Sequence, residues 1–177
     1  MISSTGRHKP GAPGAHPLLA ILLLSGCVAV PPLEPVAPTP RFDPFIFFAG
    51  HSEGTATLRT LFSGPEPVRV VSDGRVEGDA LILDQQVTQG NRPPRHREWR
   101  LRQTGPGRYA GTLSDATSGV TAETNGNRLH IAFTMKGALP TEQWLTLAPD
   151  GRTASNLLVV RKLGFRVAVL AETIRKN

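Results

Sequence analysis

Turn signals cut this chain into short pieces, roughly every 8 to 12 residues, and that spacing leaves little room for helices of ordinary length. The signals are Ser63-Gly64-Pro65, Asp73-Gly74, Gly78-Asp79, Gly90-Asn91, Gly105-Pro106-Gly107, Asn125-Gly126, Pro140 and Pro149-Asp150-Gly151. Between them lie runs of branched and aliphatic residues suited to a half-buried pleat. The clearest are Val68-Arg69-Val70-Val71, Ala80-Leu81-Ile82-Leu83, Leu129-His130-Ile131-Ala132-Phe133 and Asn156-Leu157-Leu158-Val159-Val160. The pattern predicts an all-β fold of about eight to ten strands across roughly 50–174, an antiparallel up-and-down barrel or a sandwich. One run is ambiguous. Phe165, Val167 and Val169 sit at strand spacing, while Val167, Leu170 and Ile174 sit at helical spacing, so residues 165–174 read as either strand or C-terminal helix.

Two hairpins can be set in register. With Gly105-Pro106-Gly107 as a three-residue loop, Thr104 faces Arg108, Gln103 faces Tyr109, Leu101 faces Gly111, Trp99 faces Leu113 and Arg97 faces Asp115. Side chains alternate with period two, so Arg97, Trp99, Leu101, Tyr109, Leu113 and Asp115 share one face. The other face carries Glu98, Arg100, Arg102, Ala110, Thr112 and Ser114, which suits solvent. The inner face is therefore apolar with an Arg97–Asp115 pair at one end, a pair expected to be buried. A turn at Asn125-Gly126 sets Ala122 against Leu129 and Val120 against Ile131, again on an apolar face.

The N-terminal part is different. Arg7, His8 and Lys9 precede a short apolar run, Leu18-Leu19-Ala20-Ile21-Leu22-Leu23-Leu24, and then Ser25-Gly26-Cys27. A positive start, a short apolar stretch and small residues make an export signal over residues 1–26, and the run is too short to span a bilayer. Leu24-Ser25-Gly26-Cys27 resembles the lipobox of bacterial lipoproteins. That resemblance implies a diacylglyceryl thioether on Cys27, cleavage before it and acylation, as with palmitate, of the new amino group. Val28 follows where an Asp would favour inner-membrane retention, which implies the outer membrane, facing the periplasm. Residues 27–40 hold five prolines and read as an extended tether lifting the domain at 41–177 off the surface. Removing residues 1–26 lowers the net charge from +6 to +4, a mild basicity spread along the chain. With Cys27 the only cysteine, no internal disulfide can form, and stability must come from packing.

One ordered set of short motifs runs through the domain: Phe47-Phe48-Ala49-Gly50, Arg97-Glu98-Trp99-Arg100-Leu101 and Tyr109-Ala110-Gly111-Thr112-Leu113-Ser114-Asp115. It continues through Gly119, Gly126-Asn127, Trp144, Asn156, Lys162-Leu163-Gly164 and Lys176. In this order of motifs the sequence resembles, over about residues 42–176, DUF3833, a family of bacterial lipoproteins with a domain of unknown function. Family members typically carry an acidic pair before the tryptophan and an aromatic residue after the lysine; here Glu142-Gln143 and Leu163 stand there. The resemblance implies a periplasm-facing lipoprotein and transfers no catalytic residue. The layout is also similar to lipocalin-like and calycin barrels, although Gly50-His51-Ser52 stands where lipocalins carry Gly-x-Trp.

The residues offer little chemistry. His51, His96 and His130 are scattered, and Cys27 is taken by lipid, so no metal set is expected. There is no Gly-x-Ser-x-Gly elbow and no Gly-rich loop opening a helix, so no catalytic residue, enzyme activity or cofactor is expected. Arg92, Arg95, Arg97, Arg100 and Arg102 form the densest basic stretch, but alternation divides them between two faces, and nucleic acid is not an expected partner. Candidate ligand-binding residues are Arg97, Trp99, Leu101, Tyr109, Leu113 and Asp115, lining either a ligand cavity or a filled core. The expected function is a membrane-anchored envelope lipoprotein that binds an apolar or amphipathic molecule such as a fatty acid or phospholipid. The alternative is an interaction module for another envelope protein, its interior filled by large side chains. Oligomeric state is left open.

Overall fold

The computed structural model describes Met1 and residues 28–177. Cys27 and nearly all of the expected export signal lie outside the described residues. Ten antiparallel strands close into a barrel: β1 Gly50–Thr60, β2 Ser63–Glu77, β3 Ala80–Gln89, β4 Arg95–Gly105, β5 Arg108–Leu113, β6 Val120–Asn125, β7 Arg128–Met135, β8 Leu139–Leu147, β9 Thr153–Lys162 and β10 Phe165–Lys176. Each strand pairs with its sequence neighbours, and β10 closes the barrel on β1, from Ser52 opposite Lys176 to Thr60 opposite Ala168. This is the up-and-down barrel the turn spacing predicts. Closure also removes the helical alternative for residues 165–174. The β10 backbone is paired on both sides, with β9 and with β1, so the segment is a strand.

Several turns fall elsewhere than expected. Ser63-Gly64-Pro65 and Asp73-Gly74 lie within β2, and Pro140 lies within β8 opposite Thr134. The actual turns there are at Leu61-Phe62 and at Lys136-Gly137-Ala138, where Gly137 and Ala138 have φ of 85° and 54°. Gly74 serves contact rather than turning: a Cβ there would lie 1.8 Å from the Phe48 carbonyl oxygen. In the first hairpin Trp99↔Leu113, Leu101↔Gly111 and Gln103↔Tyr109 pair as expected. Arg108 faces Gly105 instead of Thr104, because a bulge takes up one residue. In the second, the turn residues are Gly126-Asn127, so Ala122 faces Ile131 and Thr124 faces Leu129. The shift is two residues, which preserves the inward face.

A short cap closes one end. The Asp43 carboxylate accepts from the backbone N–H of Phe45 at 2.8 Å and starts a single helical turn, α1, Pro44–Phe47. That turn directs Phe42, Phe47 and Phe48 into the barrel mouth, with ring centroids 5.0 to 6.3 Å apart. Beneath them the main core runs through Leu81, Leu83, Leu101, Leu129, Ile131 and Leu145, with Trp99 and Phe133 edge to face at 5.4 Å.

Residues 28–37 form a strap on the outside wall, where the proline pattern predicts a free tether. Val28 is buried in an outer cluster with Leu157, Val159 and Val169, against which Val30, Leu61 and Trp144 also pack. Further on, the Asn127 side chain accepts from the Ala37 N–H and donates to the Leu147 carbonyl, at 2.8 and 2.9 Å. Missing amide donors do not stop an extended segment from packing its side chains, and Val28 supplies apolar area to do so.

Candidate functional site

Facing residues on neighbouring strands form rows across the barrel wall. One such row is Ser52 on β1, Ser72 on β2, Gln85 on β3 and Arg97 on β4, each opposite the next, and all point inward. A second is Asn156 on β9 opposite Glu172 on β10. These polar rows lie between the main core and a second apolar cluster of Val68, Val70 and Val87, with Ala56, Leu58 and Leu170 against it.

The rows are tied internally. The Trp99 indole N–H donates to Gln85 Oε1 at 2.7 Å, and Gln85 Nε2 donates to Ser72 Oγ at 3.0 Å. Arg97 Nε donates to Asp115 Oδ1 at 3.1 Å, and the guanidinium lies 5.6 Å from the Trp99 ring centroid. Asn156 Nδ2 donates to Glu172 Oε2 at 2.8 Å. Glu172 fits because its carboxyl lies over Gly54 on β1: a Cβ there would lie 1.9 Å from Glu172 Oε1.

Four buried polar atoms have no hydrogen-bond partner among the described residues, Ser52 Oγ, Arg97 Nη2, His130 Nε2 and Asn156 Oδ1, and two of them, on Arg97 and Asn156, belong to one site. Both residues line an interior cavity of about 80 Å³, together with Gln85, Gln143, Glu172 and aliphatic side chains such as Leu158 and Leu170. Buried polar groups are nearly always satisfied by protein or water, so an orphaned donor and acceptor on one cavity mark a place for a polar guest. Burial pulls the Arg97 guanidinium's pKa below its usual value, opposed by Asp115. Burial likewise pushes the Glu172 carboxyl above its ordinary range, against the Asn156 hydrogen bond and the attraction of Arg97. The cavity thus pairs a cation with a carboxyl that burial biases toward its neutral form. That combination suits an anionic guest.

Of the six residues the sequence picks out, Arg97, Trp99 and Leu101 line this cavity. Asp115 touches it only through Arg97; its side chain is 37% exposed against 17% for Arg97, so the pair expected to be buried is buried at Arg97 and reaches solvent at Asp115. Leu113 belongs to the packed core, and Tyr109 lies under the cap, 6.0 Å from the Phe45 ring. The residues missed are Ser72, Gln85, Gln143, Asn156 and Glu172. Their signal is a polar residue at the inward phase of an apolar strand, as in Ala168-x-Leu170-x-Glu172-x-Ile174. It becomes readable only once 165–174 is known to be a strand.

The three histidines face outward on different strands. His51 Nδ1 lies 2.7 Å from Asp73, which raises its pKa; His96 lies 3.7 Å from Asp84; His130 stacks on Trp144 at 5.1 Å. Among the described residues no group of three or more His, Cys, Asp or Glu could hold a metal ion.

The family model for DUF3833, a protein of unknown function, matches residues 21–176. Among curated proteins none matches the chain in sequence. The barrel is similar to the S-type phycobiliprotein lyase CPES from Guillardia theta, with TM-score 0.61 and 8% identity over 75% of this chain and 90% of that one. It is also similar to Rv2717c from M. tuberculosis, with TM-score 0.59 and 16% identity over 73% of this chain and 92% of that one. These likenesses establish a shared lipocalin-like, calycin-type barrel, and at such identities they speak for the fold alone.

Proposed function

This chain belongs to the DUF3833 family, and from its interior we propose that it is a binding barrel of the bacterial cell envelope. It holds the acidic head of an apolar or amphipathic molecule, such as a fatty acid or phospholipid, at Arg97. Lipid on Cys27 holds it to the outer membrane, on the periplasmic face. The observation that carries the binding reading is the buried Arg97 Nη2 with no partner, facing a cavity.

Size sets the terms of binding. Small-molecule sites usually hold about 300–1,000 Å³, whereas this cavity is about 80 Å³. It accommodates a head group or a few waters. An acyl chain would have to part Val68, Val87 and Leu170 toward the uncapped end, where these side chains form a small separate cluster. The filled core supports a second reading, an interaction module for another envelope protein with no small ligand. Trp99 and Phe133 in contact at the centre favour it.

Extraction separates the two. Full-length chain purified from membranes is extracted with organic solvent, and the extract is analysed by mass spectrometry beside that of Arg97→Met. The binding reading predicts an acidic amphiphile in the parent extract and its loss from the variant. Identical extracts from both would leave the interaction module as the better account.

A further inference from the structure

In an up-and-down barrel successive turns alternate between the two ends. The β1–β2, β3–β4, β5–β6, β7–β8 and β9–β10 turns therefore share the end opposite the phenylalanine cap. At that end three large apolar side chains stand in solvent: Phe62 at 97% exposure, Leu163 at 89% and Phe165 at 65%. Their two turns are neighbours, since the Leu61 N–H donates to the Val167 carbonyl at 3.1 Å. Packing does not account for these residues. Leu163 also has φ +50°, a conformation that glycine or asparagine adopts at lower cost, so local folding does not account for it either.

Charge at this end is one-sided. The acids nearby are already matched: Glu66 with Arg92, Asp115 with Arg97 and Glu142 with Arg161. Arg59, Arg95, Lys136, Lys162 and Arg166 have no acidic partner among the described residues. The capped end differs, with Asp43, Glu77, Asp79, Glu123 and Asp150 set among its basic residues. Exposed apolar tips ringed by unmatched cations suit a surface that is apolar below and anionic above. The strap adds an independent pointer. Val28 packs in the cluster that Leu61 of the β1–β2 turn also touches, and the strap runs from there toward Asn127 at the capped end. Val28 is thus held on the same side as the tips.

We propose that this rim docks on an anionic lipid bilayer, with Phe62, Leu163 and Phe165 inserted among the head groups. The uncapped mouth then faces the membrane, and the cap points away. This deepens the anchored-barrel reading by giving it an orientation, but it does not require lipid on Cys27.

The test uses full-length chain with vesicles of phosphatidylcholine and phosphatidylglycerol whose acyl chains carry bromine, a contact quencher of tryptophan. Phe62→Trp reports the rim and Ile46→Trp, exposed on α1, reports the cap; the unsubstituted chain supplies the Trp99 and Trp144 background. The expected result is at least twofold quenching of the Phe62→Trp signal above background, none for Ile46→Trp, and a decline in binding as salt rises. Phe62→Trp quenched no more than background overturns the proposal, whether the chain sediments with the vesicles, stays free or associates with itself. The mass of the N-terminal peptide is measured on the same sample. Lipid on Cys27 without rim quenching sinks the orientation and keeps the anchor. Rim quenching without lipid on Cys27 does the reverse.

Discussion

At the scale of single residues, Arg97 and Glu172 decide how the interior behaves. Arg97 is mostly buried and bonded through Nε to Asp115, whose side chain keeps 37% of its exposure. A fully buried pair would cost about 3–5 kcal/mol on losing one member. With Asp115 still reaching water, Arg97→Ala should cost only about 1–2 kcal/mol. The double change Arg97→Met with Asp115→Leu should recover part of that, measured as chemical denaturation midpoints. A cost for Arg97→Ala above about 3 kcal/mol would mean that Asp115 is shielded from water after all. Glu172 makes a pH prediction. Burial raises its pKa above the ordinary 4.5, so the folded chain holds that proton more tightly than the unfolded one. Its contribution to stability is greatest below 4.5 and falls as pH rises through the folded value. Glu172→Gln cannot titrate. Its stability should match the parent's near pH 4 and exceed it increasingly as pH rises, until the folded carboxyl has ionised, read from paired thermal melts. A parent that instead gains on the variant as pH rises would mean that the carboxylate is the favoured form.

At the scale of elements, the strands were legible because their period of two survives in the sequence, and most pairings in the first hairpin could be assigned from it. What was not legible depended on contacts between distant segments. Asp73-Gly74 reads locally as a turn, yet it is mid-strand because Phe48 of the cap needs a place with no Cβ. Residues 165–174 satisfy both periods locally, and only pairing with β1 settles them as strand. The strap could not be foreseen because proline content speaks to the backbone, whereas Val28 and Asn127 dock through side chains. Three residues of the candidate site, Arg97, Trp99 and Leu101, came from one hairpin. The five missed, Ser72, Gln85, Gln143, Asn156 and Glu172, lie on other strands and meet Arg97 only through the pairing of the whole barrel. The cap makes a test at this scale. Gly74→Ala places a methyl group against the Phe48 carbonyl, which is backbone and cannot swing aside. It should cost about 1–3 kcal/mol and expose the cap, read as faster proteolysis between residues 40 and 50. Unchanged stability and cleavage would show that the cap is not held against β2.

At the scale of the whole molecule, the barrel has a plugged end, an uncapped end and a polar belt between two apolar clusters. That order suits a ligand entering tail last, its acidic head halted at Arg97 and its chain toward the uncapped mouth. The most direct measurement is a calorimetric titration of decanoate into the full-length chain held in nanodiscs at pH 7, with empty nanodiscs as the blank and Arg97→Met in parallel. The account predicts saturable binding near one decanoate per parent chain, weakened at least about tenfold in Arg97→Met, the loss of one charge-assisted hydrogen bond. Equal affinity in the two proteins, or no saturable heat in the parent, would contradict it.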